Sequence, residues 1–355
     1  MADFTVLNPV YAQYFSDVNP PARVTIAAGD TMPEKVDVML SVVVDKDEVD
    51  RKGEVIRAVK RQGLHVQGRS YWAPANIGPY SQAISIRLPP RHELSGHETQ
   101  NSSEVVYIAG QIPLIPASME IYQEKGFRGQ ALLSLQHLFR IGRVKNVKWW
   151  TGAVGFIPAS SHPEENVRIA QELWKALHSP STSSPDDDEE EQDIDPWDRL
   201  NTQHHSSTFN DTTYRSPIPD FTAVSNTEGE ATPPCFIAQV ASLPRGVGIE
   251  WSATGLTSSS ISFSHSSNVT TITSPRDTRS TFSTLEITDQ EHLERMEEQE
   301  WGCATLYTGR GFTWDGKGVG IGMVMKGVQW IPCQRVWGEG GREVRAVLVG
   351  RVDSA

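Results

Sequence analysis

The chain has 355 residues, enough for two domains, but only 38% of them are hydrophobic. That share is below the usual one for a globular protein and indicates segments that cannot build a core. A formal net charge of −12 argues against binding to a nucleic-acid backbone, which would require a basic face. Cys235, Cys303 and Cys333 form no CxxC pair, so neither a disulfide framework nor a structural zinc site is expected. No signal peptide and no apolar run of about 18 residues occurs, so the sequence predicts a soluble protein of a reducing compartment, most simply the cytosol.

The first 45 residues predict one amphipathic helix followed by two strands. Apolar and aromatic residues recur there at helical spacing, namely Phe4, Val6, Leu7, Tyr11, Tyr14 and Phe15. Pro20 and Pro21 end the helix, and strands are predicted over 23–27 and 36–44. Because one helix and two strands cannot bury both faces of a sheet, partner elements are expected.

A charged linker over 46–68 precedes the largest block of predicted structure, residues 69–178. The spacing of apolar residues in this block predicts two strands, a helix and a third strand, at 82–88, 104–110, 127–140 and 147–156. A second helix is predicted from Pro163, because proline followed by two acidic residues is typical of a helix N-terminus.

Two later segments are poor in aliphatic residues. Residues 179–232 are acidic and serine-rich, and residues 256–300 are rich in serine and threonine. Both are expected to be disordered, because such compositions cannot offset the entropy lost on ordering. Strands are predicted over 233–240 and 247–251, and the strand-like part at 301–355 is expected to extend or cover the sheet.

The most distinctive stretch is a run of proline and glycine residues in front of a strand. It contains Tyr71-Trp72-Ala73-Pro74 and Gly78-Pro79-Tyr80-Ser81-Gln82-Ala83, and a second strand closes on Gly110-Gln111-Ile112-Pro113. This pairing resembles the opening of the RidA/YjgF family, also called L-PSP proteins. With Leu64-His65-Val66-Gln67 in front of it, the longer run resembles the C-terminal region of eukaryotic, fungal-type diphthine–ammonia ligase.

The resemblance implies an α+β, chorismate-mutase-like fold in which two helices back a mixed sheet in each complete unit. Residues 1–45 then resemble the C-terminal part of a first RidA-like unit, and 69–178 with 233–255 resemble a second unit, interrupted by the insertion at 179–232. Met1 resembles an internal methionine, so a truncated gene model or a shortened isoform is favoured over a half-unit that pairs with another chain. RidA-like units usually form trimers, so a homo-oligomer or a pseudo-trimer is expected.

The resemblance also implies a set of candidate cleft residues. In RidA-type imine deaminases an arginine holds the substrate carboxylate, a glutamate orients the attacking water, and a tyrosine lines the cleft between subunits. The matching positions in this sequence are Arg23, Glu250 and Tyr80, and Asn8 also matches the family.

Each unit alone lacks part of this set. The glutamate position of the first unit falls on Met39, which cannot accept a proton, and the arginine position of the second falls on Cys235, which cannot grip a carboxylate. Two interpretations remain open: decay of both sites, which is favoured, or a composite cleft in which Arg23 of one unit faces Glu250 or Tyr80 of the other. The structural alternatives are a salt bridge for Arg23, turn geometry for Tyr80 and a strand-edge charge for Glu250. No catalytic residue is therefore assigned.

The ligase resemblance implies chemistry that this chain cannot perform alone. In that family an N-terminal ATP-pyrophosphatase domain adenylates the diphthine carboxylate on elongation factor 2, and ammonia then displaces AMP. This requires a Ser-Gly-Gly-type loop at the start of a helix, and the sequence contains none. The chain is therefore expected to bind neither ATP nor a metal.

Three functions remain as expectations. The favoured one is an oligomerisation, substrate-docking or regulatory module in diphthamide formation, with elongation factor 2 as partner and no contact with nucleic acid or membrane. The alternatives are a free-standing enamine or imine deaminase, and an L-PSP-type endoribonuclease, which the net charge of −12 disfavours.

Overall fold

The computed structural model describes residues 4–45, 47–49, 52, 54–57, 59–90, 103–178, 232–266, 268–274, 276–289, 292, 294, 299–314, 317–318 and 327–353. The helices within these ranges are α1 (Phe4–Tyr14), α2 (Gly126–Val144) and α3 (Pro163–His178). The strands, in chain order, are β1 (Glu48–Val49), β2 (Val55–Arg57), β3 (Arg61–Leu64), β4 (Ala83–Arg87), β5 (Glu104–Ile108), β6 (Trp149–Pro158), β7 (Cys235–Val240), β8 (Glu250–Leu256), β9 (Ser262–Ser266), β10 (Val269–Thr273), β11 (Ser280–Ile287), β12 (Cys303–Thr308), β13 (Thr313–Trp314), β14 (Lys317–Gly318), β15 (Val328–Pro332), β16 (Arg335–Trp337), β17 (Glu343–Val344) and β18 (Ala346–Asp353).

A mixed eight-stranded sheet forms the centre of the molecule, in the order β17-β16-β7-β6-β8-β5-β4-β3. Its β6 and β7 are parallel, and its other neighbours are antiparallel. Helices α2 and α3 cover one face, where their apolar stripes bury Leu135, Leu138 and Trp174 against Trp251 of β8. This amphipathic spacing is the signal from which both helices could be predicted.

The chain leaves the sheet after α3 and returns at β7, and the two ends of this connection lie together. The indole Nε1 of Trp174, on α3, donates a hydrogen bond of 2.8 Å to the carbonyl oxygen of Pro233, just before β7. The predicted insertion at 179–232 lies outside the described residues, apart from residue 232.

The opposite face of the central sheet packs against a second, six-stranded mixed sheet, in the order β15-β12-β18-β11-β10-β9. Phe156 and Phe236 of the central sheet contact Tyr307 of β12, and Ile86 of β4 lies in one cluster with Phe282 of β11. The molecule is therefore layered as helices, sheet and sheet, and the predicted α+β class is confirmed.

The prediction of a mostly disordered segment over 256–300 was wrong, because β9, β10 and β11 lie within it. Although serine and threonine dominate its composition, burial alternates along β10 and the first half of β11, where Thr270, Ile272, Ser280, Phe282 and Thr284 are buried, and Leu285 is buried as well. Period-two alternation buries one face of a strand even when most residues are polar.

The two strands predicted near the N-terminus do not form. Residues 23–27 are extended but make only single bridges, from Ala22 to Ser81 and from Ala27 to Ser242, and 36–44 forms no strand. A strand requires a neighbour along its length, and the described residues offer this stretch none. The predicted linker at 46–68 contains β3, which pairs with β4 at the edge of the central sheet.

No helix in the described ranges is long and apolar enough to cross a bilayer.

Candidate functional site

The segment that carries Arg23 crosses the end of the central sheet at which β4 begins and β5 and β7 end, and backbone hydrogen bonds fix it there. The amide of Ser81 donates to the carbonyl of Pro21 at 3.2 Å, and the amide of Gly110 donates to the carbonyl of Arg23 at 3.1 Å. A further bridge at Ala27 holds the other end. These contacts position the Arg23 side chain beside the glycine-proline turn of the 78–83 motif.

Three aromatic rings and one amide surround the guanidinium of Arg23. Its Nη2 donates to Oδ1 of Asn8 at 2.9 Å, and its Cζ lies 4.6 Å from the ring centroid of Tyr11, 5.2 Å from that of Tyr80 and 5.5 Å from that of Phe4. Such contacts stabilise a cation on the face of an aromatic ring. Burial lowers the pKa of Arg23, although Tyr11 and Tyr80 act in the opposite direction. Helix α1 thus covers the arginine with Phe4, Asn8 and Tyr11.

The close approach of Arg23 to the turn requires a glycine at position 78. A Cβ there would lie 2.6 Å from Nη2 of Arg23 and 3.3 Å from Oδ1 of Asn8. Tyr80, two residues later, is half-buried, and burial raises the pKa of its hydroxyl. Gly78 and Tyr80 therefore lie directly against the guanidinium of Arg23.

Glu250, the first residue of β8, forms the floor and is only 3% exposed. Its Oε1 lies over Gly110, where any side chain would collide with it. Burial raises the pKa of Glu250 to about 8, although a hydrogen bond from the backbone of Thr25 and the charge of Arg23 both lower it. A carboxyl group with such a pKa is half protonated near pH 8, so it can give or take a proton under physiological conditions.

Two polar atoms of the site remain unpartnered. Nη1 of Arg23 and Oε2 of Glu250 are both buried and have no hydrogen-bond partner among the described residues. The two side chains affect each other's pKa but form no direct ion pair in the described part of the chain. A buried donor and a buried acceptor left open in one site are unusual, because each costs free energy comparable to a lost hydrogen bond. The arrangement suits a ligand with an anionic and a hydrogen-bonding group.

The structure brings all four predicted residues, Asn8, Arg23, Tyr80 and Glu250, into this one site. The composite geometry, with Arg23 supplied by the first segment and Tyr80 and Glu250 by the second, is therefore present within a single chain. The roles of the four residues stay predictions.

The two positions that break the family pattern do not contribute. Met39 lies in the extended stretch that follows the Arg23 segment. Cys235 is buried in the core between the central sheet and its helices, where burial raises the pKa of its thiol far above the ordinary value. The arginine and the glutamate that these two positions lack are both present at the Arg23 site, as Arg23 and Glu250, from different parts of the chain.

Sequence reasoning missed several contributors to this site. Phe4 and Tyr11 belong to the predicted helix stripe, but spacing alone does not distinguish a ring that packs in a core from one that stacks on an arginine. Thr25, Gly78 and Gly110 act through backbone position. A glycine in a turn was the only signal available for the last two.

Comparison with solved structures concerns the class of fold. The RidA protein of the Antarctic bacterium Psychrobacter sp. PAMC 21119 aligns over 54% of this chain and 98% of that chain, with 18% sequence identity and a TM-score of 0.29. No protein-family model matches the chain.

The similarity to curated proteins is more specific. The chain is 34% identical over 176 residues to the diphthine–ammonia ligase of Schizosaccharomyces pombe, a match that covers 49% of this chain and 24% of the relative. It is 39% identical over 142 residues to the diphthine–ammonia ligase of Saccharomyces cerevisiae, covering 39% of this chain and 18% of the relative. The resemblance found in the sequence motif is confirmed, and the chain spans a quarter or less of the length of these relatives.

Proposed function

We propose that this chain is the RidA-like portion of a diphthine–ammonia ligase, and that it serves the last step of diphthamide formation on elongation factor 2 as a docking or assembly module. The observation that carries this proposal is the identity of 34% over 176 residues to the fission yeast enzyme. On this proposal the ATP-dependent step is performed in the cytosol by a phosphate-binding loop of the Ser-Gly-Gly type at a helix N-terminus, which these 355 residues do not contain.

A binding experiment tests the docking role. The 355-residue chain is titrated with elongation factor 2 that carries diphthine, and separately with the factor that carries the unmodified histidine. We expect saturable binding that is tighter for the diphthine form. Equal binding of both forms, or none, would overturn substrate docking.

The size of the endogenous protein tests the assignment to a longer enzyme. An immunoblot with an antibody to residues 69–150 should detect a species well above 39.3 kDa. A band at 39.3 kDa alone would contradict the assignment and leave a separate small protein.

The geometry of the Arg23 site favours a second candidate, a deaminase of reactive enamines or imines. A buried guanidinium with one open N–H suits a substrate carboxylate, and a nearby carboxyl group with a pKa of about 8 suits the transfer of a proton to or from water. Hydrolysis would add water across the C=N bond and release ammonia, with Glu250 taking a proton from the water and returning it to the leaving nitrogen. The chemistry requires both residues together.

Ammonia release from an enamine generated from threonine tests this candidate. We expect Arg23→Ala and Glu250→Gln to abolish release, whereas Arg61→Ala, which removes an exposed arginine paired with Asp17, should leave it unchanged. If the unsubstituted chain releases no ammonia above the buffer rate, the deaminase candidate fails and the docking role is unaffected.

A further inference from the structure

A cleft of about 400 Å³ lies on the C-terminal part of the chain, and none of the residues that line it belongs to the Arg23 site. This volume falls in the range of small-molecule sites, roughly 300–1,000 Å³. The turn at 309–312 forms one side, and Val344, the last residue of β17, forms the other with Arg345, which lies between β17 and β18. Phe312 and Val344 are buried and give the cleft an apolar floor.

Arg345 is an exposed cation that lines the cleft. Its Cζ lies 5.5 Å from the ring centroid of Phe312, so the guanidinium rests against the aromatic floor. It has no carboxylate partner among the described residues. A guanidinium held on a ring in this way keeps its planar fork of donors available for an oxyanion.

The other charges at the rim are compensated. Nη2 of Arg310 pairs with Asp30 at 2.6 Å, and Glu343 is paired with Nη2 of Arg335 at 2.6 Å. Arg345 therefore supplies the surplus positive charge of the cleft. The side-chain amide of Gln334, which also lines it, has no hydrogen-bond partner in the described ranges and can add a neutral donor.

We propose that this cleft binds a small organic oxyanion, a carboxylate or phosphate attached to an apolar body. The anionic head contacts Arg345 and Gln334, and the apolar body lies against Phe312 and Val344. The site differs from the Arg23 site in its elements and its ligand, and the two proposals are tested by different residues.

Binding of benzoate to the full chain, followed by calorimetry and ligand-observed NMR, tests the proposal. Benzamide has the same shape without the charge, and we expect it to bind about tenfold more weakly, as the loss of a charge-assisted contact implies. Inorganic phosphate lacks the apolar body and is expected to bind more weakly than phenyl phosphate. Comparison of benzoate with phenyl phosphate identifies the preferred head group.

Substitutions assign the binding to this cleft. Arg345→Gln should weaken benzoate binding about tenfold, and Phe312→Leu should weaken it severalfold. Arg128→Gln, which removes the same charge from the exposed face of α2, should have no effect. Equal binding by the Arg345→Gln and Arg128→Gln variants, or no saturable binding by the unsubstituted chain, would overturn the proposal.

If Arg345→Gln does not fold, as judged by near-ultraviolet circular dichroism, the affinities of the unsubstituted chain for the four ligands still test the proposal. Equal affinity for benzoate and benzamide would exclude recognition of the charge, and equal affinity for phenyl phosphate and inorganic phosphate would exclude the apolar contact.

Discussion

Nη1 of Arg351 donates a hydrogen bond of 3.0 Å to the hydroxyl of Tyr107, and this contact joins β18 of the second sheet to β5 of the central sheet. The same guanidinium pairs with Asp45 at 2.5 Å and with Asp353 at 3.1 Å. Arg351 is 8% exposed, so the extended N-terminal stretch and both sheets meet at one buried cation.

Removal of this cation should destabilise the chain strongly. Arg351→Ala leaves Asp45 and Asp353 without their partner at a buried position, and we expect the free energy of unfolding to fall by about 3–5 kcal/mol. Tyr107→Phe removes the hydrogen bond to Arg351 and a weak contact of 3.9 Å with Sγ of Cys303, and should cost about 1 kcal/mol. Urea unfolding followed by tryptophan fluorescence measures both changes.

The exposed pair Arg168–Glu172 provides a matched control for the Arg351 cluster. Arg168→Ala removes an i,i+4 contact with Glu172 on the surface of α3, and its expected cost is below about 0.5 kcal/mol. Similar losses for Arg351→Ala and Arg168→Ala would mean that the Arg351 cluster contributes no more than a surface pair.

Glu250 should make stability fall with rising pH. Its pKa in the folded chain is about 8, against an ordinary value of 4.5, so the folded state holds a proton that the unfolded state releases between these values. The free energy of unfolding therefore falls through this window, by up to about 1.4 kcal/mol per pH unit. Glu250→Gln removes the effect.

The difference between the two proteins isolates this group from other titrations, because buried His137 and His178 have lowered pKa values and act in the opposite direction. Urea midpoints at pH 5 and pH 8 should show that Glu250→Gln gains stability relative to the unsubstituted chain as pH rises. A constant difference between the two proteins would contradict the raised pKa.

Gly78→Ala should displace Arg23. The new methyl group would lie 2.6 Å from Nη2 of Arg23, so the guanidinium must leave its position among the rings. We expect a cost of about 1–3 kcal/mol, typical of overpacking. Gly68→Ala, where no atom lies within 4 Å of the added carbon, should be nearly neutral in the same urea assay. An equal effect at both glycines would argue against a close approach at position 78.

Tyr11→Leu should loosen helix α1 from the site. The substitution keeps apolar bulk but removes the ring that lies 4.6 Å from Cζ of Arg23, and we expect a loss of about 1–2 kcal/mol. Tyr14→Leu changes a ring that is 81% exposed and should have little effect. Limited proteolysis within α1, compared between the two variants, measures the loosening; identical digestion rates would show that the Tyr11 ring does not hold the helix.

Much of the central unit could be predicted from the sequence, for a physical reason. Helices α2 and α3 each bury one apolar stripe, and strands β4, β5 and β6 bury residues on both faces of the sheet, so their apolar residues identify these elements within a few residues. The strands β9, β10 and β11 were not predicted, because the serine and threonine content of the whole segment outweighs the few apolar residues in it. Ile272, Phe282 and Leu285 were the few apolar residues that indicated buried strands there.

The residues of the candidate site, and the composite cleft as one of two interpretations, could be predicted from the family resemblance but not from spacing along the chain. Arg23 and Glu250 are separated by more than two hundred positions, and only the path of the backbone across the sheet brings them together. Spacing along the chain holds no information about such contacts. Phe4 and Tyr11 could be predicted as part of the apolar stripe of a helix, but their contact with Arg23 could not.

The hydrogen bond between Trp174 and Pro233 has a consequence for the length of the chain between them. Because Trp174 and Pro233 are held side by side, a flexible insert between them would add only the entropy of closing a loop, about 0.6 kcal/mol for each doubling of its length. A reporter domain inserted there through flexible linkers is therefore expected to leave the helices and both sheets intact.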